Sequence, residues 1–305
     1  MISIALQYAR SLVREKTVVV LMLMLFGITI ASSFIGWSSH HTVIAAYNQT
    51  ILTFKSSGKV IPPNPFATQP ALSILKNMVI YVPLVGALLA IIIGQISVMA
   101  DNVAGTTKLI FSRPISRRDY LAGKLMGISY VLLAIISICL STSVVSLLII
   151  NSQLPSVREL AKLFLFYVLS FCYLLFFALV GFLAALVTRS QSLALLGALA
   201  VWIVVSFVIP QFASGVSPVA SLNPATAPVD ATQSAFFRTT QIAKPLSLGE
   251  EYKSVGLKLL DASPEGDRTS TLPQLIPLAV SLVGITYLAR RRMNLLTVHE
   301  ETLND

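Results

Sequence analysis

Residues 100–124 read ADNVAGTTKLIFSRPISRRDYLAGK and stand between two runs, 78–99 and 125–150, that contain no charged residue. Each run exceeds the roughly 20 residues that a helix needs to cross a hydrocarbon core about 30 Å thick. The stretch between them carries Lys108, Arg113, Arg117, Arg118 and Lys124 against only Asp101 and Asp119. Under the positive-inside rule it is the strongest candidate for a cytoplasmic loop.

The same pattern repeats along the chain. Hydrophobic residues make up 55% of the 305 and charged residues 11%, and the mean hydropathy is +0.80. So much apolar surface cannot be hidden in a water-soluble domain. Uncharged runs at 18–37, 78–99, 125–150, 163–187, 192–212 and 272–289 give six spans. A strict two-residue alternation is missing, so the spans are helices rather than barrel strands. The fold class is an all-α integral membrane protein, with residues 1–305 forming one transmembrane domain.

Lysine and arginine orient it. With the N terminus inside, twelve cations fall on the inner side: Arg10, Arg14, Lys16, the five of the 100–124 loop, Arg189 and the closing Arg290, Arg291 and Arg292. The short outer loops hold five: Lys55, Lys59, Lys76, Arg158 and Lys162. Both termini are then cytoplasmic. The net charge of +9 is an orientation and lipid-headgroup signal, because the cations are scattered along the membrane boundary instead of forming a nucleic-acid patch. Residues 1–16 alternate Ile2, Ile4, Leu6, Ala9, Leu12 and Val13 with Gln7, Arg10, Arg14 and Lys16, a pattern suited to a helix lying in the interface. An ordinary basic leader to the first span fits equally well. No cleavage context for a signal peptide follows.

Short connections at 151–162 and 188–191 make spans three to five close antiparallel neighbours. The outer loops are longer. One begins at Ser38 and passes through the Pro62, Pro63 and Pro65 cluster; the other covers 213–271, with helix-compatible pieces near 229–243 and 248–260. The second is too long for an idle connector and reads as a small external cap or vestibule that an extracytoplasmic protein could recognise, or else as a mobile loop. Gly86, Ala90 and Gly94, and Gly123 with Gly127, recur at four-residue spacing and allow close helix approach. Pro83, Pro273 and Pro277 should bend or open their helices. Cys139 and Cys172 read as small apolar packing residues. His40 and His41 are adjacent and so lack the spacing of a helical metal-ligand pair. Lys124 is expected to reach out to the headgroups.

The spans hold none of the ionisable residues that ion-coupled carriers use. There is no phosphate-binding glycine loop, and no H-E-x-x-H, G-x-S-x-G or C-x-x-C motif. An ion-coupled carrier and an intramembrane enzyme remain as alternatives, but neither has its expected residues.

Gly105-Thr106, Leu109, Pro114, Ser116-Arg117 and Gly123-Lys124, following an interfacial segment, a span, an outer loop and a second span, resemble the permease subunits of ABC-2 type transporters. Within that family the chain is similar to the permease of the nitrous-oxide-reductase copper-site maturation system, also in Leu222-Asn223-Pro224. The acidic pair often found before Gly-Thr is here Asp101 alone, followed by Asn102 and Val103. The resemblance implies a multi-pass permease of a bacterial or archaeal plasma membrane. It implies cytoplasmic ABC ATPase subunits as partners, with ATP and Mg bound there and no cofactor in this chain. It further implies a homodimer or pairing with a similar permease, and export more often than import. Asp101, Gly105, Thr106, Arg113, Pro114, Arg117 and Arg118 become the ATPase-coupling residues. From the residues alone, these cations serve topology as readily as docking. A membrane anchor passing force to an extracytoplasmic partner would need the same loop.

Overall fold

The computed structural model describes residues 2–56, 70–103, 117–151, 155–188, 190–210, 247–263 and 271–301. No strand occurs among them. Six of the helical segments are long and apolar enough to cross a membrane.

α1 (Ile2–Arg14) turns at Glu15 into α2 (Lys16–Ser56). α2 is 41 residues long, about twice what the hydrocarbon requires. The expected loop from Ser38 is therefore helix as far as Ser56. Its threonine hydroxyls bond back to their own helix rather than break it: Thr42 to the Ser38 carbonyl, Thr50 to that of Ala46 and Thr53 to that of Gln49. On this extension the His41 ring meets Trp37 edge-on at 4.7 Å.

The second span is broken. A 3₁₀ turn at Ala71–Leu75 and α3 (Met78–Tyr81) lead into a π turn at Val82–Gly86, and α4 (Ala87–Val103) completes it. Pro83 lies in that wide turn, where the Ala87 N–H reaches back five residues to the Val82 carbonyl. Proline has no N–H to give to a regular ladder, so the helix opens there. The Pro83 carbonyl instead accepts the Trp202 indole N–H at 3.1 Å.

α5 (Arg117–Asn151) and α6 (Val157–Val187) follow. α6 starts before its apolar run because Ser156 and Glu159 form a reciprocal capping box. α7 (Gln191–Ile203) ends in a π turn at Val204–Val208. α8 (Leu248–Leu259) is the second helix-compatible piece of the long loop; the piece at 229–243 lies outside the described residues. α9 (Thr271–Glu301) runs through Arg290, Arg291 and Arg292 rather than stopping there. Pro273 falls in its first turn, where a missing N–H breaks no ladder bond, and Pro277 lies inside the helix.

α6 is the axis of the bundle. In its most apolar stretch 67% of residues are buried, against 11% in α7, and it touches α4, α5, α7, α8 and α9. A row of buried rings, among them Phe166, Tyr167, Tyr173, Phe177 and Phe182, runs along it. Gly94 of α4 backs onto the Ala178 carbonyl, and Gly181 of α6 backs onto the Ile91 carbonyl. Ala90 between them is fully buried. A Cβ on Gly86 would come within 3.0 Å of a Leu174 methyl.

Candidate coupling site

Gly105, Thr106, Arg113 and Pro114 lie outside the described residues. The two helices that bracket them are described. Asp101 sits in the last turn of α4, and Arg117 and Arg118 open α5.

The ends of these two helices are joined by Lys124. Its side chain is 2% exposed, so the expected reach to the headgroups is not taken. The ammonium instead crosses to α4 and donates to the Ser97 backbone carbonyl. It also stands over two rings, 4.8 Å from the centroid of Tyr8 and 4.9 Å from that of Tyr120. The rings meet edge to face with centroids 6.4 Å apart, and the Tyr8 hydroxyl donates to that of Tyr120 at 3.5 Å. A buried ammonium loses several kcal/mol of hydration. The carbonyl and two π faces, each worth about 0.5–2 kcal/mol, are what the fold supplies in return.

Tyr8 belongs to α1, so the site has three walls. α1 approaches α5 closely because Gly127 has no side chain: a Cβ there would come within 3.0 Å of Tyr8 Cβ and 3.1 Å of the Ala5 carbonyl. Ala5 and Leu12 are buried on that side, and Gly123 is buried beside Lys124. The other side of α4 is tied as well. Gln95, 3% exposed, donates to the Gln191 carbonyl at the start of α7, 2.6 Å away. Ser97 Oγ donates to the Gly94 carbonyl.

The α4 end is therefore linked to α5 and α1 through Lys124 and to α7 through Gln95. Lys124 was visible in the sequence as half of Gly123-Lys124, but nothing local marked it as buried. Tyr8, Tyr120 and Gln95 carried no signal beyond their helical positions.

Several hydroxyls within the spans are taken by their own backbone: Ser141 by the Ser137 carbonyl, Thr142 by that of Ile138 and Ser170 by that of Phe166. Ser143 pairs with the Tyr167 hydroxyl at 2.6 Å. Cys139 is a free, buried thiol facing Thr29 Oγ1 at 3.7 Å.

At the opposite end α8 is fastened to the bundle. Tyr252 is buried, its hydroxyl 2.9 Å from Ser170 Oγ and its ring 4.6 Å from that of Tyr173. Burial pushes the Tyr252 phenol above its usual range, with the Ser170 bond opposing. Lys162 of α6 donates to both carboxylate oxygens of Asp261 at 2.5 and 2.7 Å. Gln274 of α9 bridges Lys258 and Ser254 at 3.2 and 3.1 Å.

A search among curated proteins finds no match to the chain. The family model described as ABC-2 family transporter protein matches residues 2–289. That span takes in α1, residues 100–124 and five of the six candidate membrane helices completely, together with most of the sixth. The chain belongs to the ABC-2 transporter family and is a multi-pass membrane permease of an ABC transporter.

Proposed function

We propose that this permease is a subunit of an ATP-driven exporter of a bacterial or archaeal plasma membrane, with both termini and residues 100–124 cytoplasmic. Two ABC ATPase subunits hold the ATP and Mg, and a second permease, identical or similar, completes the membrane part. Asp101, Gly105, Thr106, Arg113, Pro114, Arg117 and Arg118 form the docking surface.

The observation that supports this reading is the Lys124 bridge to the Ser97 carbonyl. Closure of the ATPases presses on the segment between α4 and α5, and the bridge makes both helix ends move together. The backbone contacts of Gly94 with Ala178 and of Gly181 with Ile91 carry the movement into α6. Packed interfaces of this kind switch between discrete arrangements rather than deform continuously.

The test is affinity purification of the tagged chain in mild detergent, with an ATPase assay on the eluate. A co-purifying ATPase that is lost in Arg117→Glu/Arg118→Glu, with the variant still folded, is the expected result. A chain that emerges alone under several extraction conditions would overturn the proposal.

A second reading is favoured by the fastening of α8. Ion pairing and ring contacts tie it to α6, and hydrogen bonds through Gln274 tie it to α9, so bundle motion would also pass to the long outer loop and to any extracytoplasmic protein there. Substrate flux with the purified complex separates export from force transmission.

A further inference from the structure

α1 has two differently used sides. Ala5 and Leu12 face α5, and the Tyr8 ring beside Lys124 fixes the rotation of the helix. The opposite side turns Gln7, Arg10, Ser11 and Arg14 into a groove of about 700 Å³ that Leu6 and Glu15 also line. Arg10 and Arg14 are one turn apart on the same face. Neither makes an ion pair among the described residues. Next to this cationic stripe runs an apolar edge, Leu6 at 47% exposure and Val13 at 48%.

The depth of the groove follows from the chain. The corner at Glu15 leads directly into α2, which begins at Lys16, and its uncharged run starts at Val18. Arg14 is therefore within a turn of the bilayer boundary, at headgroup level. A helix there exposes apolar residues to the acyl region and cations to phosphate.

We propose that Arg10 and Arg14, with Gln7 and Ser11, form a binding site for the phosphate of an anionic phospholipid, and that Leu6 and Val13 take the adjoining acyl chain. The guanidinium forks match phosphate oxygens bidentately, and the amide and hydroxyl add donors on the same face. The negative charge of Glu15 at the end of the groove disfavours a multiply charged anion more than a singly charged phosphodiester. A water-soluble partner protein would have to cover Leu6 and Val13 as well, whereas lipid satisfies both stripes at once. Bound lipid holds α1 at the surface, and so holds the Tyr8 wall of the Lys124 site.

The test is native mass spectrometry of the full-length chain, extracted in mild detergent and supplied with phosphatidylglycerol or phosphatidylcholine. The wild type is compared with Arg10→Gln/Arg14→Gln and with Lys55→Gln, which removes an exposed cation at the far end of α2. Phosphatidylglycerol retention should fall about thirtyfold in the double variant, the factor for two cations near a charged surface at about 1 kcal/mol each. It should be unchanged in Lys55→Gln, and phosphatidylcholine should bind weakly to all three. Leu6→Ser/Val13→Ser should weaken phosphatidylglycerol retention while both arginines remain. Equal retention by the double variant, or equal loss in Lys55→Gln, overturns the proposal. Displacement of the lipid by excess inorganic phosphate reassigns the site to the free anion. Loss of a co-purifying ATPase from the double variant with lipid retention intact reassigns it to protein docking. Both arginines are exposed and glutamine is a good helix former, so the variants are expected to fold; an unchanged size-exclusion profile checks this.

Discussion

The backbone of Gly94 lies so close to the Ala178 carbonyl that a side chain of even one carbon at residue 94 would collide with it. The Gly181 backbone stands in the same relation to the Ile91 carbonyl, so α4 and α6 touch main chain to main chain at two points. Gly94→Ala should gain about 1 kcal/mol of helix propensity but cost about 2–3 kcal/mol, the upper part of the overpacking range, because the atom it meets is backbone and the helices must move apart. Net destabilisation is expected in Gly94→Ala and Gly181→Ala. Gly197→Ala, where nothing lies within 4 Å of the new atom, should be neutral or slightly stabilising. Thermal unfolding in detergent measures all three.

The Lys124 site predicts a coupling between helices distant in the chain. Lys124→Met and Tyr8→Leu should each destabilise the junction of α1 with α5. The double variant should lose less than the sum of the two, leaving an interaction of about 0.5–2 kcal/mol. A double-mutant cycle on unfolding free energies reads it; strict additivity would mean that the ammonium gains nothing from the Tyr8 ring.

Asp261 ends α8 with φ 52°, the left-handed conformation that a helix terminator needs and that glycine usually supplies. The Ala262 N–H returns to the Leu257 carbonyl at 2.8 Å and that of Asp261 to the Lys258 carbonyl at 3.2 Å. Asp261→Ala must hold that conformation at about 1–2 kcal/mol and also loses the Lys162 bridge. Asp261→Gly loses only the bridge, worth about 0–1 kcal/mol for partly exposed partners. Hydrogen exchange of the α8 amides should quicken clearly in the alanine variant and little in the glycine variant.

The Tyr252 phenol is raised by burial, so the folded form holds its proton more tightly than the unfolded chain does. Its contribution to α8 docking is complete below the ordinary phenol value of about 10 and declines as pH rises beyond it. Hydrogen exchange in α8 should therefore show constant protection from neutral pH to about 9, after correction for intrinsic rates, and a loss above 10. Tyr252→Phe should abolish that alkaline loss, at a cost of about 1 kcal/mol for the Ser170 bond.

The membrane-crossing elements were legible from sequence because the test is local: an uncharged run is measured against a fixed hydrocarbon thickness. The opening at Pro83 and a helix near 248–260 were legible for similar reasons, through a missing N–H and a helix-compatible pattern. Helix ends were less so. Ser38 to Ser56 continues α2 and Arg290 to Glu301 continues α9, because an apolar run reports contact with lipid and not where backbone hydrogen bonding stops. The destination of Lys124 was decided only by tertiary structure. Reaching the headgroups and burial against a carbonyl 27 residues away are both open to a lysine at a helix end. The choice depends on α1 and α4 arriving within a few ångströms of it, made possible by the missing side chain of Gly127 and the placement of Tyr8. The seating of α8 on α6 was decided in the same way, through Tyr252 with Ser170 and Asp261 with Lys162. Hydropathy ranks residues one at a time, whereas a buried cation or a docked polar helix depends on partners far apart in the chain.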